Sequence, residues 1–222
     1  MITNPSASVV LCYGDSNTYG APADLDGPAR LASDVRWTGR LQQLLGEGFS
    51  VIEEGLNGRT TDVDYDDRPG CNGLPYFLPC LLSHAPVDVV MVMLGTNDLK
   101  TQFDRSAESI AAAVGRYVDV VEEVARDRGV PPSKLVLVSP VRVDDGRPGF
   151  AEQNGDDFDS SAVERSHRLG PEIRRVARLR GVGFADAADV AVVGADGIHL
   201  DVDSHAALAR LLGGAVDDAL SA

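Results

Sequence analysis

The sequence predicts an α/β fold in which a parallel sheet is covered by helices on both faces. Three observations carry that expectation: apolar runs of strand length recur at 8–13, 49–53, 87–94 and 134–139, segments of helical periodicity alternate with them, and no linker or internal repeat divides the 222 residues. Strands buried on both faces read as continuous apolar runs, and their alternation with helices is the signature of a parallel sheet. A chain of this length buries roughly 70% of its unfolded surface. A single domain over residues 1–222 is expected.

The first run, Ser8-Val9-Val10-Leu11-Cys12-Tyr13, ends at Gly14-Asp15-Ser16. Trp37 opens an apolar-periodic helix with Leu41, Leu44 and Leu45, which makes the indole core or a subunit contact rather than a stacking ring for a ligand. The run 87–94 leads into Gly95-Thr96-Asn97-Asp98, so Ser16 and Asn97 both sit just past strand ends, where crevices form in an open parallel sheet. Between about 106 and 128, Ile110, Val114, Tyr117, Val118, Val121 and Val124 recur at helical spacing, with Gly129 and Pro131-Pro132 as the stop. A second helix is expected over about 160–180. A last one is expected to start near Asp201 as N-cap, with Leu208, Leu211, Leu212 and Ala215 on its buried side. Two stretches rich in Gly, Pro and Asp, 57–75 and 140–159, lack periodicity, and loops this long are usually functional. They are expected to wall the crevice that holds Ser16.

Thirty-four acidic against twenty basic side chains give a net charge of −14. Such a surface repels phosphate backbones and anionic headgroups, which argues against a nucleic-acid or membrane partner. The odd set Cys12, Cys71 and Cys80 has no C-x-x-C spacing and reads as reduced thiols rather than a zinc or redox site, with a Cys71–Cys80 pair the minor alternative. The amino terminus lacks a basic segment followed by a long apolar one, and no apolar run approaches the ~18 residues of a membrane span. A cytoplasmic location is expected.

A serine hydroxyl is a weak nucleophile at neutral pH and needs an adjacent base, which in turn needs a carboxylate to fix its tautomer. Ser16, His199 and Asp196 fit these roles, since only Gly197 and Ile198 separate the acid from the imidazole and Gly197 permits a tight turn. The anionic oxygen of a tetrahedral intermediate needs neutral donors. The Asn97 amide, the Gly58 N–H within Glu54-Gly55-Leu56-Asn57-Gly58-Arg59, and the N–H of Ser16 can supply them. Asp15 and Asp98 are read as hydrogen-bonding residues that hold the loops.

Ser16, Gly58, Asn97, and His199 with Asp196 stand in the order of four conserved blocks, and with them the chain resembles the SGNH, or GDSL, hydrolase superfamily over nearly its whole length. The resemblance implies a flavodoxin-like three-layer α/β/α sandwich with a five-stranded parallel sheet. Arg36-Trp37-Thr38-Gly39, Val51-Ile52-Glu53-Glu54-Gly55-Leu56, Arg59-Thr60-Thr61 and Met93-Leu94-Gly95-Thr96-Asn97-Asp98 are similar to the arylesterase branch that includes acyltransferases and perhydrolases. That likeness implies a cofactor-free and metal-free serine esterase acting on small, largely uncharged aryl or short-chain esters through an acyl-enzyme. Acyl transfer to an alcohol is the accompanying activity, and a homo-oligomer with a contact around residues 57–80 the accompanying assembly. Two departures stand out: Asn17 follows the serine where that branch often has an apolar residue, predicting a more polar pocket, and the loop 140–159 is highly charged.

Other readings compete. A carbohydrate acetylesterase or deacetylase is the alternative among enzymes, and a non-catalytic binding module on a flavodoxin-like sheet the alternative outside them. The loop after the first strand carries Asp15-Ser16 instead of a glycine-rich phosphate cradle, which counts against the module. Asp62-Val-Asp64-Tyr-Asp66-Asp67 resembles the start of a calcium loop but has Asp67 where a glycine is required and Gly73 where a bidentate glutamate is required. It reads as a solvated acidic loop. His84, His167 and His205 read as surface or partly packed side chains.

Overall fold

The computed structural model describes residues 4–24 and 26–222. Five strands, β1 (Ser8–Gly14), β2 (Phe49–Gly55), β3 (Val89–Met93), β4 (Lys134–Ser139) and β5 (Gly183–Asp186), form one sheet in the order β2-β1-β3-β4-β5. Every pairing is parallel. This is the flavodoxin-like order, whose direction of winding reverses between β1 and β3. The α/β expectation holds, and the reversal falls between the two strands that precede Ser16 and Asn97.

Side chains alternate across the sheet. Leu11, Tyr13, Val90, Val92 and Leu137 pack on the face covered by α3 (Gly73–His84), α4 (Ala107–Arg128) and α6 (Ser160–Arg180). Val10, Cys12, Met91, Met93 and Val138 pack on the face covered by α2 (Trp37–Leu45) and α7 (Ser204–Ser221). Two four-residue helices, α1 (Ser16–Tyr19) and α5 (Phe150–Gln153), lie in the loops at the carboxyl edge.

The long helices begin and end where their sequences say. Ser106 accepts from the Ser109 N–H at the start of α4, Asp159 accepts from the Ser161 and Ala162 N–H groups at the start of α6, and left-handed Gly129 and Gly181 close them. The carboxyl-terminal helix corrects one expectation. Asp201 is not its cap, because the Asp201 side chain accepts from the Asp203 N–H and its own N–H goes to the Val192 carbonyl; α7 starts at Ser204. In α2 the buried side is Trp37, Thr38 and Leu41, while Leu44 faces solvent.

Cys12, Cys71 and Cys80 are free thiols. Among the described residues no helix is long and apolar enough to cross a membrane.

Candidate active site

Ser16 opens α1 directly after β1, and His199 lies on the loop between β5 and α7. The His199 Nε2 atom is 2.9 Å from Ser16 Oγ, and its Nδ1 is hydrogen-bonded to Asp196 Oδ2. Asp196 Oδ1 accepts the backbone N–H groups of Ile198 and His199, both at 2.9 Å. One carboxylate thus closes the turn with one oxygen and orients the imidazole with the other. Burial raises the Asp196 carboxyl, but the His199 ring and these two N–H donors outweigh it and hold it below the usual aspartate range. It stays ionised at neutral pH.

The turn demands its glycine. Gly197 has φ +76°, and a Cβ there would stand 2.3 Å from the Asp144 carbonyl oxygen. That carbonyl belongs to the 140–159 loop, which packs on the histidine loop instead of simply rimming the crevice. The Asp144 N–H donates to the Gly197 carbonyl, the Gly149 N–H to Ala195, and Asn154 Nδ2 to Asp196 O. Much of the loop's charge is used locally: Asp144 pairs with Arg147, Asp157 with Lys100, and Asp159 caps α6.

Gly58 and Asn97 follow the ends of β2 and β3. Gly58 is buried with φ +81°, and Asn97 Nδ2 donates one bond to the Arg59 carbonyl at 3.1 Å. Among the described residues, neither the Gly58 N–H nor the Ser16 N–H is spent on another acceptor. Arg59 braces this region from beneath, with its guanidinium 4.1 Å from the Tyr13 ring centroid and Nη1 donating to the Gly14 carbonyl at 2.8 Å. Asp98 accepts from the Thr61 N–H and hydroxyl and from Arg105, holding the two loops together as expected.

The role expected for Asn17 is corrected. Its side chain is 2% exposed and does not make the pocket polar. Its Nδ2 donates to the Ile198 carbonyl at 3.3 Å and its Oδ1 accepts the Leu200 N–H at 2.8 Å, so the residue after Ser16 grips the chain on both sides of His199. Trp37 Nε1 donates to the Asn17 carbonyl at 3.0 Å, which makes Trp37 core, as its periodicity suggested.

His205 also departs from expectation. It is fully buried, and its Nδ1 accepts the Trp37 N–H at the start of α2. Burial, helped by Arg40 and opposed by Asp201, pushes its pKa down to about 4 and keeps the ring neutral. Asp62 is no solvated acid either, since it pairs with Arg105 and Arg116.

A serine hydroxyl, an imidazole and an ionised carboxylate in hydrogen-bonded series, at the carboxyl edge of a doubly wound sheet, define a serine hydrolase. The profile of the GDSL-like lipase/acylhydrolase family matches residues 12–207, and the chain belongs to that family. No curated protein matches the sequence. Among solved structures, the M. smegmatis aryl esterase in its inhibitor-bound form is 37% identical with a TM-score of 0.88, covering 96% of this chain and 99% of that one. A carbohydrate acetylesterase from Sinorhizobium meliloti is 34% identical with a TM-score of 0.87, covering 95% of this chain and 99% of its own. The chain is a serine ester hydrolase with the flavodoxin-like sheet that its sequence predicted.

The Asn17 grip predicts that Asn17→Leu keeps the fold but loosens the histidine loop. We expect kcat for an aryl ester to fall by up to about 10²-fold, as for other small misplacements of reacting groups, with KM little changed. An unaltered kcat would show that the loop holds its place without the amide.

Asp15 is fully buried, with Oδ2 lacking any partner. Burial raises its pKa to about 6, against the Asn17 N–H, His199 and Arg59, which pull it down. An acid whose folded pKa lies above its unfolded value binds protons more tightly when folded, so its contribution to stability falls as pH rises from about 4 through about 6. Asp15→Asn removes that slope. Urea unfolding from about pH 4 to about pH 7 should show the variant gaining on the wild type by up to about 3 kcal/mol. A constant difference across that range would contradict the raised pKa.

Proposed function

We propose that Ser16 is the nucleophile, His199 its general base and Asp196 the carboxylate that orients the imidazole. The supporting observation is the continuous path from Asp196 through His199 to Ser16 Oγ, with the last step at 2.9 Å. Ser16 gives its proton to His199 as it attacks an ester carbonyl. The imidazolium, stabilised by Asp196, then protonates the departing alcohol, and water attacks the acyl-enzyme with His199 again as base. The N–H groups of Ser16 and Gly58 and the free amide hydrogen of Asn97 receive the anionic oxygen. No cofactor or metal takes part in this scheme.

The substrate class we assign is small, largely uncharged aryl or short-chain esters, with the aryl esterase of M. smegmatis the likeness that favours it. The second reading is acetyl removal from carbohydrates, which the S. meliloti acetylesterase favours. Turnover of p-nitrophenyl acetate set against acetylated xylose separates them. An intracellular setting fits the three free thiols.

Ser16→Ala should abolish both ester hydrolysis and covalent labelling by a fluorophosphonate while leaving the far-UV circular dichroism unchanged. Asn97→Ala should lower kcat by about 10²–10³ with little effect on KM, the behaviour of a donor used in the transition state. Labelling of the Ser16→Ala protein, or an Asn97→Ala effect confined to KM, would reassign those residues.

We further propose acyl transfer to alcohols and a homo-oligomer built from copies of this chain. Supporting the contact, Leu78 and Leu82 of α3 are 42% and 40% exposed and share their side of the molecule with neither core face. A bound alcohol competes with water through its effective concentration, which a narrowed crevice would raise. Light scattering should report an oligomer, and Leu78→Glu with Leu82→Glu should dissociate it and shift the products of a vinyl ester plus benzyl alcohol toward free acid. Free acid alone from the wild type at every alcohol concentration would reject the transfer reading and leave the esterase standing.

A further inference from the structure

Three side chains of different donor type converge between the end of β2 and the last turns of α3. Cys80 and His84 are four residues apart on α3 and so project from one side of the helix, while Glu54 reaches them from the neighbouring strand. Glu54 Oε1 is 2.8 Å from His84 Nε2, and the sulfur, nitrogen and carboxylate donors all lie within 4.8 Å of one another. Cys80 is buried, whereas the His84 and Glu54 side chains keep 30% and 20% of their surface. An ion would therefore have a way in from solvent.

We propose that Glu54, Cys80 and His84 form a binding site for a borderline-soft divalent cation of the Zn2+ class. Thiolate, imidazole and one carboxylate suit zinc or cobalt, whereas magnesium and calcium require several oxygen ligands. Bond lengths of about 2.3 Å to sulfur and about 2.0–2.1 Å to nitrogen and oxygen place tetrahedral donors about 3.3–3.6 Å apart. The Glu54–His84 contact of 2.8 Å is shorter than that, and the donors as a set lie within 4.8 Å, so binding would draw the partly exposed His84 and Glu54 side chains into tetrahedral spacing around the sulfur, with water in the fourth position.

Two other roles for the cluster fit less well. A Glu54–His84 ion pair would not need a buried sulfur beside it. A reactive cysteine would need a lowered pKa, yet burial and the neighbouring Glu54 charge push the Cys80 thiol up to about 12. Binding exchanges the thiol proton for the cation and releases the proton to solvent. None of Ser16, His199, Asp196, Gly58 or Asn97 belongs to the site.

Cobalt is the probe of choice because its bond to a thiolate absorbs in the near ultraviolet. Full-length protein stripped of metal with a chelator and then desalted should bind Co2+ at one ion per chain with a thiolate-to-metal band. Added Zn2+ should abolish the band, and excess Mg2+ should not. Cys80→Ser should lose the band while Cys12 and Cys71 remain. His84→Ala, at a half-exposed position that leaves the core untouched, should weaken binding at least about 10-fold, since even outer-shell partners of a metal are worth that much. Absence of a band at saturating Co2+, or a band of the same intensity in Cys80→Ser or the same affinity in His84→Ala, would overturn the proposal.

Discussion

The arrangement at this edge of the sheet depends on holding two loops in register that are 183 residues apart in sequence, one bearing Ser16 and the other His199. The Asn17 amide does this by bonding the backbone on both sides of His199, from the position directly after the serine. Backbone groups flanking an imidazole fix its position better than a contact to the ring could, because the ring remains free to serve as acceptor and donor. The same residue is anchored from below by the Trp37 indole, and the amino terminus of the Trp37 helix is in turn tied to neutral His205. Serine loop, histidine loop and the two helices of one sheet face are therefore connected by four hydrogen bonds.

The second group of contacts fixes the loops that carry Gly58 and Asn97. Arg59 lies under the loop after β2, stacked on Tyr13 and bonded to the last carbonyl of β1, while its own carbonyl accepts from Asn97. A buried guanidinium is tolerable here because aromatic faces and carbonyl oxygens replace its water. The result is a site assembled from the ends of β1, β2 and β3, with the long 140–159 loop bracing the histidine turn. Arginines neutralise some of the loop carboxylates: Arg105 and Arg116 hold Asp62, and Arg147 holds Asp144. The negative charge is consequently less concentrated around the crevice than the sequence suggests.

Much of this was legible in the chain. Strands β1, β3 and β4 show themselves as apolar runs because a strand covered on both faces must be apolar on both. Helix α4 shows itself by its apolar periodicity and its glycine–proline stop. Ser16, Asn97, Asp196 and His199 draw notice in the sequence because each sits next to a strand end or in a short turn, where local sequence controls geometry. Strand β5, Gly183–Asp186, has one large apolar side chain in four residues and left no periodic signal, so it entered only through family likeness.

What tertiary structure alone decided are the partners reached across the chain. Asn17 as an apparent pocket residue, His205 as an apparent surface histidine and Asp62 as an apparent solvated acid were misread because burial depends on which distant segment packs above a side chain. The Glu54–Cys80–His84 cluster escaped sequence reading for the same reason: two donors share a helix, but the third arrives from a strand. Local order of apolar and turn residues determines elements and the chemistry placed at their ends. The long-range packing of loops determines which polar atoms are left to react and which are consumed in holding the site together.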